Sequence, residues 1–152
     1  MINVYTSVVC ELLHIGHINL FRKAKGLGDK LIVGVITDEG VNQYKRTPII
    51  PVEQRIAVVS SIKYVDLAIE QNTRSGVENM KQLGNISILI RGDDAEIPDE
   101  INYIKSIGGE FVIIPYTKGI SSSVIINKII LIDNFIISFP LIHFCFKNSH
   151  PK

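Results

Sequence analysis

Ile2-Asn-Val-Tyr-Thr-Ser-Val-Val9 runs directly into Cys10-Glu-Leu-Leu-His14-Ile-Gly-His17-Ile-Asn-Leu-Phe21, and the junction between these stretches decides how the chain is read. The first is apolar and β-branched, the composition of a buried strand. The second opens a helix expected over roughly Ile18 to Leu27. Two imidazoles one helical turn apart share a face, Gly16 removes the side chain between them, and the free amides of a starting helix lie alongside. That combination suits a nucleotide phosphate chain.

Working outward, short runs rich in Val and Ile alternate with amphipathic stretches, the pattern of βα units building a parallel sheet. Strands are expected at Ile2–Val9, Lys30–Ile36, Leu67–Glu70, Ile86–Ile90 and Glu110–Ile114. Helices are expected at Ile18–Leu27, Val52–Ser61, Ser75–Leu83, Pro98–Ser106 and Ser122–Ile132. The 152 residues fit one α/β domain, a five-stranded parallel sheet flanked by helices over residues 1–130, followed by an apolar tail at 131–152 of open role.

Composition excludes several classes. Charged residues make up 20 % and the formal charge is +1, so neither disorder nor a global field for nucleic acid is indicated. Cys10 and Cys145 are too few and too far apart for a disulfide framework or a zinc site, which fits a reducing, cytoplasmic setting. The N-terminus lacks the pattern of an export signal. Ile129–Phe146 is dense in apolar residues, but Asp133, Asn134 and Pro140 interrupt it, so a spanning helix is not expected and contact with a second copy or with the domain is.

In open parallel sheets ligands gather at the carboxyl ends of the strands. Four segments fall there: Cys10–His17, Thr37-Asp38, Arg91-Gly-Asp-Asp94 and Pro115–Ser123. Ser121, Ser122 and Ser123 precede an apolar run, so at least one can cap the last helix while others offer hydroxyls to phosphate. Tyr44-Lys-Arg-Thr-Pro48 supplies a cationic loop in which Lys45 or Arg46 would carry the charge. Asp93 and Asp94 can hold a magnesium-bound phosphate or accept hydrogen bonds from the hydroxyls of a bound ligand. Asp38 is placed at the rim, and Asp66 in local ordering.

On these pieces, together with Arg22–Asp29, Gly34–Asp38, Glu53-Gln-Arg55, Lys63-Tyr-Val-Asp66 and Gly119-Ile-Ser-Ser-Ser123, the chain resembles the cytidylyltransferases of the His-x-Gly-His nucleotidyltransferase superfamily, most closely the glycerol-3-phosphate type, from about Ile2 to about Ile129. The resemblance implies a Rossmann-like fold and transfer of CMP from CTP, with Mg2+, to a small alcohol phosphate such as glycerol 3-phosphate, phosphoethanolamine or phosphocholine, or to a phosphonate. It implies catalytic roles for His14, His17, Lys45 and Arg46. Nucleotide binding falls to Val9, Cys10, Glu11, Gly16, Arg91, Gly92, Asp93, Asp94, Gly119, Ile120 and the three serines. The substrate phosphate falls to Arg55, Lys63, Tyr116 and Thr117, and a homodimer is expected.

Three positions depart from the family pattern: Val8 stands for a glycine, Tyr116 for an arginine and Lys63 for an arginine. Tyr116 exchanges a bidentate clamp for a neutral hydroxyl, and Lys63 keeps charge without the fork. Two other readings compete. One is an adenylyltransferase using ATP; the other is a nucleotide-binding module that does not catalyse.

Overall fold

The computed structural model describes residues 1–93 and 97–137. Its elements, in chain order, are β1 (Asn3–Val8), α1 (Ile15–Lys25), β2 (Lys30–Ile36), α2 (Asp38–Asn42), α3 (Val52–Ser60), β3 (Leu67–Gln71), α4 (Val77–Leu83), β4 (Ile88–Gly92), α5 (Pro98–Ser106), β5 (Glu110–Ile114) and α6 (Ser122–Ile137). All strand pairs are parallel, in the order β3-β2-β1-β4-β5. The chain therefore starts at the sheet centre, steps out to β3, and returns to lay β4 on the other flank of β1. A Rossmann-like sheet reverses direction at that point, leaving a crevice beyond the ends of β1 and β4.

Strand alternation sends side chains to two cores. Val4, Val8, Leu31, Val33, Val35 and Ile90 meet Phe21 and Ala24 of α1 and Val52 and Val59 of α3 on one face. Tyr5, Ile32 and Leu89 meet Met80 of α4 and Ile104 of α5 on the other. The near-continuous apolar run of β2 follows from this, because both faces are covered, while the buried Asn3 and Thr6 of β1 donate to Asn85 O and Ile90 O, each at 3.0 Å.

The expected elements are all present, with instructive shifts. α1 begins at Ile15 rather than Ile18, because a histidine supplies the cap that sequence rules assign to a hydroxyl or carboxamide. The apolar signal for β4 started at Ile86, but that residue packs into a core cluster ahead of the pairing, which begins at Ile88. α2 was not expected: a single turn capped by Thr37, whose Oγ1 accepts from Gly40 N at 3.2 Å, leaves no periodicity to detect. Of the apolar tail, residues 131–137 continue α6 and residues 138–152 lie outside the described residues. No helix among the described residues is long and apolar enough to cross a membrane.

Two polar devices cross the sheet. The Tyr5 hydroxyl donates to Gln71 Oε1 at 2.7 Å, reaching from β1 over β2 to β3. Gly34 makes this possible, since a Cβ there would collide with the Tyr5 oxygen and stand 2.5 Å from Gln71 Oε1. Arg91 at the end of β4 donates to both carboxylate oxygens of Glu100 on α5 and to Ser7 O on β1 at 2.9 Å, with Nε to Oε2 at 2.7 Å. Glu100 is fully buried and also accepts from Gly76 N ahead of α4. Removing the carboxylate in Glu100→Ala leaves a buried guanidinium without its counter-charge, so denaturant titration should show a loss of about 3–5 kcal/mol. A loss below about 1 kcal/mol would show that this pair does not hold the sheet's carboxyl edge together.

Candidate active site

The amino end of α1 is built by its two histidines. His14 is the N-cap, in extended conformation, and its Nδ1 accepts from Gly16 N at 3.1 Å. Reciprocally, His14 N donates to His17 Nδ1 at 3.3 Å. Because each Nδ1 accepts, each ring carries its proton on Nε2, and the rings stack with centroids 4.0 Å apart. A Cβ at Gly16 would stand 2.8 Å from His14 Cε1, so only glycine lets the ring fold back onto the helix start. Burial lowers the pKa of His14, and burial reinforced by the charge of His14 brings His17 down to about 4. Both rings are thus neutral at physiological pH, with Nε2–H as a hydrogen-bond donor.

The segment linking β1 to this cap is strained. Cys10 and Leu12 hold φ of 55° and 47°, a region that non-glycine residues occupy at a cost of about 1–3 kcal/mol each. It is fixed by its surroundings. Glu11 is buried, its Oε2 accepts from Ile49 N at 2.6 Å, and its backbone oxygen accepts from the Ser122 hydroxyl. Glu11 Oε1 has no partner among the described residues. Burial pushes the Cys10 thiol up to about 12, so it behaves as an apolar filler rather than a nucleophile.

A cavity of about 900 Å³ opens over these residues. Its floor is the end of β1, Val8 to Glu11, with His14, Gly16 and His17 on one wall and Ser121, Ser122 and Ser123 beside them. Ser121 Oγ caps α6 by accepting from Val124 N at 3.2 Å. Gly119, at φ 82°, makes the left-handed turn that brings Ile120 against α1. Tyr116 and Thr117 line the same side, and Thr117 Oγ1 accepts from Asn19 Nδ2 at 3.1 Å. Tyr44, Lys45 and Arg46, after α2, and Arg74, after β3, line it as well. Gly92 lines the cavity, whereas Asp93 Oδ1 accepts from Tyr116 N at 3.2 Å and so shapes the turn. Asp94 lies outside the described residues.

Three expected ligand residues, Arg55 and Lys63 for the substrate phosphate and Arg91 for the nucleotide, are placed otherwise. Arg55 is 1 % exposed and spends its guanidinium on Val9 O, Ile36 O, Ile50 O and Asp38 Oδ1, at 2.5 to 2.8 Å. It is a strut between the ends of β1 and β2 and does not line the cavity. Lys63 is exposed ahead of β3, at the amino edge of the sheet, with its ammonium 5.1 Å from the Tyr64 ring. That is the rim opposite the cavity. Arg91 borders the cavity, but its fork is committed to Glu100. Asp66 orders local structure, accepting from Lys25 Nζ and Leu31 N, each at 2.7 Å.

Sequence reasoning missed Asn19 and Lys23, which share the cavity face of α1 with Gly16 at helical spacing, and Arg74. The carboxyl-end rule, applied to β3 as to the other strands, would have found Arg74. Glu100 carried no such signal. No cluster of three His, Cys, Asp or Glu side chains that could cage a metal occurs among the described residues.

Comparison with known proteins follows the same outline. The model of the cytidylyltransferase-like family matches residues 11–128. The ethanolamine-phosphate cytidylyltransferase of Arabidopsis thaliana is 33 % identical over 137 residues, covering 86 % of this chain and 32 % of that protein. The bifunctional protein HldE of Citrifermentans bemidjiense is 31 % identical over 131 residues, covering 84 % of this chain and 27 % of that protein. The chain thus spans a third or less of the length of these relatives. Among solved structures, the lipopolysaccharide core biosynthesis protein of Thermoplasma volcanium GSS1 superposes with a TM-score of 0.66 at 29 % identity, over 78 % of this chain and 98 % of that one. Pantoate-beta-alanine ligase of Francisella tularensis, at 19 % identity and a TM-score of 0.55 over 91 % of this chain and 70 % of that one, shares the fold. A family model covering most of the chain, laid over a parallel sheet whose switch-point crevice holds the paired histidines, places this protein in the cytidylyltransferase-like family.

Proposed function

We propose that the protein transfers CMP from CTP to a small phosphorylated alcohol, with phosphoethanolamine first among the acceptors and glycerol 3-phosphate, phosphocholine and phosphonates as the other members of the class. The carrying observation is the reciprocal cap of α1, which fixes two neutral Nε2–H donors at the edge of the cavity. The choice of cytosine nucleotide and of acceptor rests on the ethanolamine-phosphate cytidylyltransferases of Arabidopsis thaliana and Dictyostelium discoideum among the relatives.

In this reading an oxygen of the acceptor phosphate attacks the α-phosphorus of CTP. The new P–O bond forms as the bond to the pyrophosphate oxygen breaks, and the electron pair leaves with pyrophosphate. No covalent enzyme intermediate and no proton transfer are required, so the protein's contribution is alignment and stabilisation of charge on the shifting oxygens. His14 and His17 donate to those oxygens. Ser123 and the amides at the start of α6 meet the triphosphate, and Lys45 and Arg46, exposed on the loop after α2, cover it. Mg2+ fits a site with one inward carboxylate and no protein cage, because this ion takes most of its ligands from phosphate and water; Glu11, with Oε1 unpaired at the cavity floor, is the residue that would hold it. When bound it neutralises phosphate charge.

A homodimer belongs to the same proposal, supported by Ile129, Ile130, Leu131 and Ile132 on α6, which are 52–68 % exposed. Light scattering on the full chain should give twice the 17.0 kDa protomer mass, and a monomer at micromolar concentration would contradict it.

With Mg2+, CTP and phosphoethanolamine, the protein should release pyrophosphate. His14→Asn and His17→Ala should each lower turnover by about 10²- to 10³-fold. The carboxamide introduced by His14→Asn would keep an N-cap acceptor, while its shorter side chain cannot bring an N–H to where Nε2–H stands, so the melting temperature of that variant should stay close to that of the wild type. Pyrophosphate released with ATP and not with CTP would overturn the base assignment, and full activity in both variants would remove the rings from the mechanism.

The ring pKa values give a separate check. Nuclear magnetic resonance should show His17 titrating near pH 4 and His14 below the ordinary 6.5. Because the unfolded chain takes up these protons first, their contribution to stability is complete above about pH 6.5 and is lost as pH falls towards 4. Midpoints at or above 6.5 would contradict the neutral-donor picture.

A further inference from the structure

Resting on the reading above, the remaining question is what grips the acceptor. A phosphomonoester or phosphonate brings up to two negative charges towards an already anionic nucleotide, so cationic donors must meet it at the cavity. The arginines at 55 and 91 are consumed in buried networks, Lys63 lies on the far rim, and position 116 is a neutral tyrosine. Lys23, Lys45, Arg46 and Arg74 are the other cations on the cavity.

Among these, Arg74 is placed as a clamp. Its guanidinium carbon lies 5.1 Å from the centre of the Tyr44 ring. A guanidinium held over an aromatic face by cation–π attraction keeps N–H donors for an anion, and its fork can pair two of them with two phosphate oxygens. No hydrogen bond or ion pair to a described residue takes those N–H groups, whereas Arg46 donates to Thr47 O at 2.9 Å. The backbone beneath is held from the core: Gln71 Nε2 donates to Thr73 O at 2.7 Å and to Arg74 O at 3.1 Å, while Gln71 Oε1 is fixed by Tyr5. Arg74 follows β3, on the side of β1 opposite β4 and β5. The serines follow β5, at the other edge of the sheet, and the histidine pair follows β1 between them. An acceptor has to enter opposite the departing pyrophosphate, and with the serines meeting the triphosphate from the β5 side and the loop of Lys45 and Arg46 closing over it, the β3 side that carries Arg74 is left for the acceptor.

We propose that Arg74, held over the Tyr44 ring, is the residue that binds the acceptor's phosphate or phosphonate group. Its fork takes two oxygens while the third forms the bond to the α-phosphorus, and pyrophosphate departs with the electrons of the broken P–O bond. Selectivity for a tetrahedral dianion over a carboxylate follows, since both oxygens that face the fork must be present beside the attacking one.

The test uses the full chain as wild type, Arg74→Ala and Arg74→Lys. CTP affinity is read by calorimetry, acceptor KM by pyrophosphate release, and acceptor affinity directly by calorimetry with phosphoethanolamine and with 2-aminoethylphosphonate as separate arms. Arg74→Ala should raise the acceptor KM and Kd by about 10- to 100-fold with the CTP Kd unchanged within about twofold, and Arg74→Lys should recover part of the loss. The arm with the tighter wild-type binding identifies the ester or the phosphonate. Unchanged acceptor constants in Arg74→Ala, an equal loss of CTP affinity, or wild-type protein that binds CTP and neither acceptor would each overturn the assignment. Failure of the broader reading looks different: wild-type protein that binds no CTP and releases no pyrophosphate.

Discussion

The hydrogen bond between His14 Nδ1 and Gly16 N, with its return bond from His14 N to His17, is the constraint on which the site depends. A helix start needs acceptors for its first amides, and ordinary caps supply them with short side chains. Here imidazoles do so, with three consequences from one pair of bonds. The tautomer is fixed, the Nε2–H groups face away from the helix, and the rings are crowded and buried enough to stay neutral. A protonated ring could not accept at Nδ1, so charging either histidine would break the cap. Capping and donation therefore require the same protonation state.

Holding that cap in register with the sheet takes more than α1. The turn at Cys10–Leu12 stores backbone strain, and the groups that resist its relaxation come from distant parts of the chain: Ile49 through Glu11, α6 through Ser122, and Arg55 through Val9 O. This division explains the arginines. A guanidinium with several carbonyls and a carboxylate as partners can be buried and can tie three segments at once, whereas a ligand-binding cation must remain unpaired until the ligand arrives. Arg55 and Arg91 took the first role, and Arg74 has the exposure and freedom of the second.

Which parts were legible follows from how local their causes are. Strands Lys30–Ile36 and Glu110–Ile114 and helix Pro98–Ser106 were read to the residue, because apolar runs bounded by Asp29, Gly109 and Pro98 mark them without reference to the rest of the fold. The convergence of Cys10–His17 with Pro115–Ser123 was legible through the carboxyl-end rule. The direction in which a charged side chain turns was not. Arg55 and Lys63 both carry charge beside the same helix, yet one points into the core and the other stands at the opposite rim, and only packing distinguishes them. Glu100 reads as an ordinary first-turn acid on an amphipathic helix; its burial is decided by Arg91, which β4 delivers from the neighbouring strand.

Val8 carries the last step. Glycine at the end of β1 would leave backbone open to a phosphate, and valine removes that option. Its side chain is even-numbered like that of Val4 and shares the core cluster beneath α1 with Phe21 and Val35, so only 9 % of the residue remains exposed. The substitution therefore closes backbone without projecting a bulky group across the cavity, which keeps its volume of about 900 Å³. What changes is the source of the hydrogen bonds. On the proposed reading the phosphate chain is met by side-chain donors and helix-start amides on the walls, not by the floor. That arrangement leans harder on the two rings and on the serines than a glycine floor would, and it leaves the far side of the cavity to a guanidinium that can meet the incoming acceptor.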